Sequence, residues 1–146
     1  MRISTARRAT AGFTLMEALA VLSVCAILAA ATAPGMSRIS AAMSLESDSQ
    51  RVAMALTQGR VAAINRGHVV VGSFTSNGYQ VVDTQNGNEV LAMGTLSPNV
   101  TLSATAPATF STLGTVTGPV VVTLQRNTDS HTRLVRVGLT GMVEIE

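Results

Sequence analysis

The sequence predicts an α+β protein, in which one long N-terminal helix packs on a small, mostly antiparallel β domain. Three observations predict this class. A long apolar run stands near the start, a helical period of three and four residues follows it, and short β-rich segments fill the rest of the chain. The predicted parts are a basic leader, an apolar half-helix, an amphipathic half-helix and a β-rich domain: residues 1–12, 13–36, 37–66 and 67–146.

Composition excludes several classes of protein. The 146 residues are 47% hydrophobic and only 12% charged, about half the charged fraction of an ordinary soluble domain. Such a chain is too apolar to be disordered, and the single cysteine, Cys25, excludes a disulfide scaffold. All ten basic residues are arginine; removing Arg2, Arg7 and Arg8 leaves seven, against eight acids, so the body of the chain is not basic.

The apolar half-helix has the length and flanks of a membrane segment. Residues 1–12 carry three arginines and no acid, which is typical of the flank that stays in the cytoplasm. Every residue from Ala18 to Ala33 is apolar or small. A helix over residues 13–36 is about 36 Å long, which is enough to cross the hydrocarbon core. We therefore expect a single span with a cytoplasmic N-terminus.

Glu17 and Pro34 stand out within this apolar segment. Glu17 is a carboxylate in an apolar helix, which costs a few kcal/mol at the helix centre and less near its end, so it needs a partner. If the chain is cut after Gly12, the free amine of Phe13 could pair with Glu17 within one helix or between neighbouring helices. Pro34, followed by Gly35, is expected to kink or locally open the helix.

The period of the sequence changes at the end of the amphipathic half-helix. Arg66-Gly67 predicts the helix stop, with glycine just past the end. A hairpin with a TSNG turn follows, and Gly, Pro, Asn, Ser and Asp separate the later runs. We expect an antiparallel arrangement in two small sheets. The eight predicted strand segments are HVVVGSF, YQVVD, EVLAM, VTLSA, ATFST, VVVTLQ, RLVRVG and MVEIE.

The segment Gly12-Phe13-Thr14-Leu15-Met16-Glu17 resembles the cleavage and N-methylation motif of type IV prepilins and type II secretion pseudopilins. The resemblance implies that a prepilin peptidase cuts between Gly12 and Phe13 and methylates the new Phe13 amine. It also implies that Glu17 contacts the Phe13 amine of an adjacent subunit. The implied location is the bacterial inner membrane, with the C-terminal domain in the periplasm, followed by assembly with other pilin or pseudopilin subunits through the N-terminal helix.

The rest of the chain resembles the GspH/FimT family of minor pseudopilins. The resemblance lies in Asn65-Arg66-Gly67, in Phe110-Ser-Thr-Leu-Gly114 and in Leu134-Val-Arg-Val-Gly-Leu-Thr-Gly141. It implies a minor structural subunit of a type II secretion pseudopilus or a type IV pilus, with no cofactor and no enzymatic activity. Some FimT-like members bind DNA through basic residues after the last glycine. Here Met-Val-Glu-Ile-Glu follows that glycine, so we do not expect specific DNA binding, and a DNA-uptake minor pilin is the alternative within the family.

A protein of another class also fits the N-terminus. An ordinary export signal, cut after Ala31-Thr32-Ala33, or a simple membrane anchor would present a β-domain binding protein outside the membrane. Arg7-Arg8 would fit twin-arginine export. Glu17 disfavours these interpretations, because it places a charge at the start of the hydrophobic region.

The remaining polar residues favour structural roles. Cys25 is expected to pack as a small residue, and His68 and His131 have no accompanying ligands for a metal site. Asp129-Ser130-His131 has the letters of a catalytic triad, but contiguous residues rarely adopt that geometry, and we expect a turn between two strands. The three arginines around that turn are expected to lie on a solvated sheet edge: Arg126, Arg133 and Arg136.

Overall fold

A computed structural model describes residues 14–129 and 131–146, without the side chains of residues 31–41. The chain forms two compact units, Met1–Arg38 and Ile39–Glu146. The described residues form one helix and eight strands, which confirms the predicted α+β class. The elements are α1 (Leu15–Arg66), β1 (Val70–Thr75), β2 (Gly78–Asp83), β3 (Glu89–Thr95), β4 (Val100–Ala104), β5 (Ala108–Phe110), β6 (Val120–Arg126), β7 (Thr132–Val137) and β8 (Val143–Ile145).

Helix α1 ends where the sequence predicts. Its last residue is Arg66, and Gly67 follows with φ of 66°, the left-handed conformation that glycine adopts without a steric penalty. The helix runs without interruption past Pro34 and Gly35. Proline has no N–H to donate to the preceding turn, so the kink expected at Pro34 stays a prediction, while an end of the helix there is excluded.

The strands form two four-stranded antiparallel sheets, as expected. Sheet A has the order β3-β2-β1-β5 and sheet B the order β4-β6-β7-β8. The hairpin of β1 and β2 closes at Thr75 opposite Gly78, on the predicted TSNG turn. Arg133 and Arg136 are solvated as expected, but their expected place on an edge strand was wrong. Both lie on β7, an inner strand of sheet B, because β8 pairs with residues 135–137 of that strand.

The core of the Ile39–Glu146 unit lies between one face of α1 and the sheets. Leu45, Val52, Leu56 and Ala63 recur at seven, four and seven residues and are at most 5% exposed. The strands supply alternate residues, since every second side chain of a strand faces the same side. The fully buried side chains of the sheets include Val70, Val81, Phe110, Val122, Leu124, Val135 and Val137.

Gly59 lies where helix α1 passes close to sheet A. A Cβ atom at this position would lie 2.7 Å from Cγ1 of Val81 and 3.3 Å from Cγ1 of Val70. Such distances are shorter than van der Waals contact, so only glycine fits without displacing its neighbours. The second half of α1 is therefore fixed closely to sheet A.

Candidate functional site: the two halves of helix α1

The start of α1 is capped by Thr14. The backbone N–H of Glu17 donates to Thr14 Oγ1 at 3.2 Å, and the N–H of Ala18 donates to the Thr14 carbonyl at 3.1 Å. Thr14 is therefore the N-cap and Glu17 occupies the third helical position, the spacing of a capping box. The pattern Thr-x-x-Glu was visible in the sequence, but its meaning as a helix start was missed there.

The Glu17 side chain is exposed at this capped end. Within residues 14–129 and 131–146, no cation lies within ion-pairing distance of its carboxylate. A carboxylate in the first turn is stabilised by the helix dipole. The predicted processing site, Gly12 and Phe13, lies outside the described residues, so its geometry and its contact with Glu17 stay predictions.

The first half of α1 carries an apolar surface. The side chain of Leu22 is 64% exposed and that of Ile27 69% exposed, and Cys25 is a free thiol on the same exposed stretch. In the part of the chain that the structure describes, no helix meets the combined length and hydropathy of a membrane span. The exposed large side chains of this half are Leu15, Met16, Leu19, Val21, Leu22, Val24, Ile27 and Leu28.

The second half of α1 is tied to sheet A by a charged cluster at its end. Arg66 Nη1 donates to Asp83 Oδ2 at 3.1 Å and to Glu89 Oε2 at 2.6 Å, and His68 Nδ1 lies 3.0 Å from the same Asp83 oxygen. Asp83 is fully buried. Burial alone would raise its pKa, but hydrogen bonds from His68, Arg66 and the Gln85 N–H hold the pKa below its ordinary value.

Glu89, on the exposed side of this cluster, also has a pKa below its ordinary value. The hydrogen bond from Arg66, followed by that from Asn86, lowers the pKa of Glu89. Both carboxylates are therefore charged at neutral pH and hold the last turn of α1. The His68 ring is part of this anchor through its contact with Asp83.

Asp48 makes a second link between α1 and the sheets. Its side chain is 1% exposed, and Oδ2 accepts the backbone N–H of Ser97 at 2.9 Å in the connection from β3 to β4. Among the described residues, its Oδ1 has no hydrogen-bond partner, and Arg51 Nη1 lies 3.7 Å from it. The helix is thus attached where the chain passes from sheet A to sheet B.

Two loops of the β domain meet on the side of α1 that carries Arg60. Gly114 and Gly141 both have positive φ, 72° and 76°, and a Cβ at residue 141 would overlap the carbonyl oxygen of Gly114. Arg60 Nε donates to that carbonyl at 3.1 Å. The segments that end in these glycines are the two that carried the family resemblance near the C-terminus, and the structure brings them together.

The three arginines near the β6–β7 turn are each neutralised by an acid. Arg126 is 7% exposed and makes two hydrogen bonds to Asp129, so it is not the solvated edge residue that the sequence analysis expected. These bonds lower the pKa of Asp129. Arg133 Nε lies 3.1 Å from Glu46, and Arg136 Nε lies 2.9 Å from Glu146.

The turn itself is as predicted. Asp129 and His131 lie in the connection from β6 to β7, and His131 Nδ1 is 3.1 Å from Asp129 Oδ2. His68 and His131 thus face separate carboxylates. Among the residues described, no three His, Cys, Asp or Glu side chains are grouped so as to hold a metal ion.

Comparison with protein families matches residues 48–141, more than half of the chain, to the family described as type II transport protein GspH. The chain belongs to the GspH family. Residues 7–33 match the prokaryotic N-terminal methylation motif, which covers the helix cap and the exposed apolar surface. The GspH match begins at Asp48 and ends at Gly141. It therefore includes the Asp48 link, the charged cluster at the end of α1, and the loops that contain Gly114 and Gly141.

Solved structures show the same fold at low sequence identity. The minor pseudopilin EpsH from the type 2 secretion system of Vibrio cholerae has a TM-score of 0.60 at 14% identity, over 70% of this chain and 96% of that chain. The type IV minor pilin FimU of Pseudomonas aeruginosa has a TM-score of 0.59 at 14% identity, over 70% and 87%. Comparison with curated protein sequences gives no significant match.

Proposed function

We propose that this GspH-family protein is a minor, structural subunit of a type II secretion pseudopilus. The observation that carries the proposal is the division of α1: its second half packs into the core of the Ile39–Glu146 unit, while its first half carries exposed apolar side chains. Burying apolar surface is the main driving force of association. The first half is therefore the part of the chain available to lipid and to neighbouring subunits.

The proposal includes processing of the N-terminus. A prepilin peptidase removes residues 1–12 and methylates the amine of Phe13, as the N-terminal methylation motif supports. The Thr14 cap supports the position of the cut, because it fixes the start of α1 just after the scissile bond. A peptide bond before the N-cap is outside the helical hydrogen-bond ladder and is open to a peptidase.

Glu17 is the assembly residue in this proposal. A carboxylate surrounded by apolar side chains is costly in a membrane unless it has a partner. The Phe13 amine of a neighbouring subunit supplies that partner, so incorporation into the filament neutralises a charge that a single subunit leaves exposed. Before assembly, the apolar half of α1 resides in the inner membrane, with the N-terminus in the cytoplasm and the β domain in the periplasm.

The mature N-terminus tests this proposal. Intact-mass and N-terminal peptide measurements on the protein from its native host are expected to show a chain that begins at Phe13 and carries one methyl group. The same measurement on a Gly12→Ala variant is a control in which the cleaved fraction should be lower. A side chain at position 12 hinders the approach of the peptidase to the substrate backbone. A mature chain that begins near Pro34 would show an ordinary export signal and refute the proposal.

A further inference from the structure

The two loops that contain Gly114 and Gly141 expose apolar side chains to solvent. Leu113 is 80% exposed, Leu139 is 59% exposed and Met142 is 56% exposed, and Ile64 of α1 lies against Gly114. We call these four residues the loop patch. Isolated exposed leucines are common on proteins, whereas adjacent ones mark interaction sites.

Backbone contacts join the two loops that carry Leu113, Leu139 and Met142. The N–H of Val116 donates to the Leu139 carbonyl at 3.1 Å, which joins the loop of Leu113 to the loop of Leu139. Gly138 N–H donates to the Met142 carbonyl at 2.9 Å and closes the second loop. Contact between Gly114 and Gly141 brings the remaining ends together. The two loops are therefore held together by their backbones, and both expose residues of the loop patch.

The loop that carries Leu113 is braced from within. Ser111 Oγ accepts the N–H groups of Leu113 and Thr115, both at 3.3 Å, and the Gly114 N–H donates to the Ser111 carbonyl at 2.8 Å. A surface that is already ordered loses little conformational entropy when a partner binds. These hydrogen bonds order the loop, with Leu113 exposed, before any partner binds.

Arg60 lies beneath the loop patch and differs from the other arginines. Its Nε donates to the Gly114 carbonyl, and within the described residues no carboxylate lies within ion-pairing distance of it. It is partly buried. The other arginines whose side chains are described all have an acidic partner: Arg51, Arg66, Arg126, Arg133 and Arg136.

We propose that the loop patch and Arg60 form a docking surface for the globular domain of a neighbouring pilin-like subunit, which presents apolar side chains around a carboxylate. The inference rests on the proposed function for the kind of partner. Charge complementarity identifies the chemistry: the surface offers apolar contact and one arginine without an acid, and arginine beside apolar side chains is typical of binding hot spots. This surface is distinct from the exposed apolar first half of α1, so the proposal gives the subunit two contacts with its neighbours.

Two substitutions of opposite charge at the exposed position Leu113 test the inference in the full-length protein, expressed in its native host. Leu113→Asp and Leu113→Lys are equally polar and opposite in sign, and neither removes a buried group. We expect Leu113→Asp to lower recovery in sheared filaments about tenfold, and Leu113→Lys to lower it less, because the incoming carboxylate is repelled only by the aspartate. Met93→Asp, at a 72% exposed position on β3, is the matched control and should assemble as wild type.

Three results would overturn the docking surface: recovery of Leu113→Asp at the wild-type level, an equal loss for Leu113→Lys, or an equal loss for Met93→Asp. Photo-crosslinking from position 139 tests it independently of filament recovery. We expect an adduct with another protein, at a peptide that contains Asp or Glu, and none from position 93; an adduct with lipid alone or no adduct at 139 would refute it. Cleavage at Gly12 and recovery of wild type in filaments report on the proposed function instead.

Discussion

The two halves of α1 place similar side chains in opposite environments. Leu22 in the first half is 64% exposed, whereas Leu56 in the second half is 1% exposed. Both halves are rich in leucine, valine and alanine, and both belong to one continuous helix. The second half lies within the Ile39–Glu146 unit, where the sheets pack against it, whereas the apolar side chains of the first half are exposed.

Carboxylates show the same division. Asp83 is buried and receives hydrogen bonds from His68 and Arg66, while Glu17 is exposed without a cation in the described part of the chain. Loss of a hydrogen-bond partner at a buried carboxylate such as Asp83 destabilises the chain that holds it. In the proposed function, α1 combines a folding surface in its second half with an assembly surface in its first half, and each of the following variants changes one of them.

The largest difference is expected for a matched pair of leucine truncations. Leu56→Ala removes a fully buried side chain and should lower the free energy of unfolding by about 2–5 kcal/mol. Leu22→Ala should leave that free energy unchanged and lower recovery in filaments instead. Thermal unfolding of the detergent-solubilised full chain measures the free energy of unfolding of both variants, and sheared-filament recovery of the full chain measures assembly. Equal effects on folding would contradict the division of the helix.

A single methyl group at Gly59 should disturb the folding surface. The added Cβ lies 2.7 Å from Val81 Cγ1, and overpacking of this kind costs about 1–3 kcal/mol. Alanine gains at most about 1 kcal/mol in a helix interior, so Gly59→Ala should be destabilising. Gly118→Ala is the control, because nothing lies within 4 Å of its added Cβ. A more stable Gly59→Ala protein would show that helix and sheet are not in the close contact described.

Removal of the Glu17 carboxylate should affect assembly alone. Glu17→Ala is expected to enter the membrane as well as wild type or better, because a charge is removed from an apolar helix. Its recovery in filaments should fall about tenfold, since the amine of the neighbouring subunit loses its partner. Ser23→Ala, an exposed position on the same helix, is the control. Undiminished recovery of Glu17→Ala would exclude this residue as the assembly contact.

Acid should weaken the anchor of α1 through Asp83. The folded-state pKa of Asp83 lies below its ordinary value of 3.8, so its contribution to stability is present above that pH and is lost as the pH falls below it. The melting temperature of wild type should therefore drop more steeply between about pH 4 and pH 3 than that of Asp83→Asn, which lacks the titrating group. Parallel curves would show that Asp83 does not hold the helix end.

The smallest effect is expected with DNA. Arg126, Arg133 and Arg136 are neutralised by acids of the same chain, which leaves few cations for phosphate contacts. Double-stranded DNA should bind the 39–146 fragment with a dissociation constant of about 10⁻⁴ M or weaker at roughly 150 mM salt. Fluorescence anisotropy measures this. Micromolar binding with a steep salt dependence, lost in Arg133→Ala, would favour the DNA-uptake alternative.

Local patterns in the sequence predicted the elements because they depend on neighbouring residues. The helix end at Arg66, the TSNG hairpin and the eight strands follow from period and turn chemistry. The sheet order did not follow, because strand pairing depends on contacts between distant residues, such as Val70 with Phe110. For that reason β7 was expected at an edge.

Some polar core residues could have been found by alternation. Val120, Val122, Leu124 and Arg126 share one face of β6 and are all buried, so a period of two places this arginine inside. The same rule places Asp83 beside Val81. What alternation cannot supply is the partner of each charge, because Asp129 and Arg66 come from other elements.

The interleaving of the strands has a consequence for folding kinetics. In chain order the first three strands belong to sheet A, β4 to sheet B, β5 to sheet A again and the last three to sheet B. Sheet A is therefore complete only when β5 is added, and β5 follows β4 of sheet B in the chain. Strand β4 in turn pairs with β6, which comes two strands later. Such non-local pairing slows the search for the native topology. Because the strands of the two sheets alternate along the chain, we expect the domain to fold as a single cooperative unit, with neither sheet populated alone as a stable intermediate.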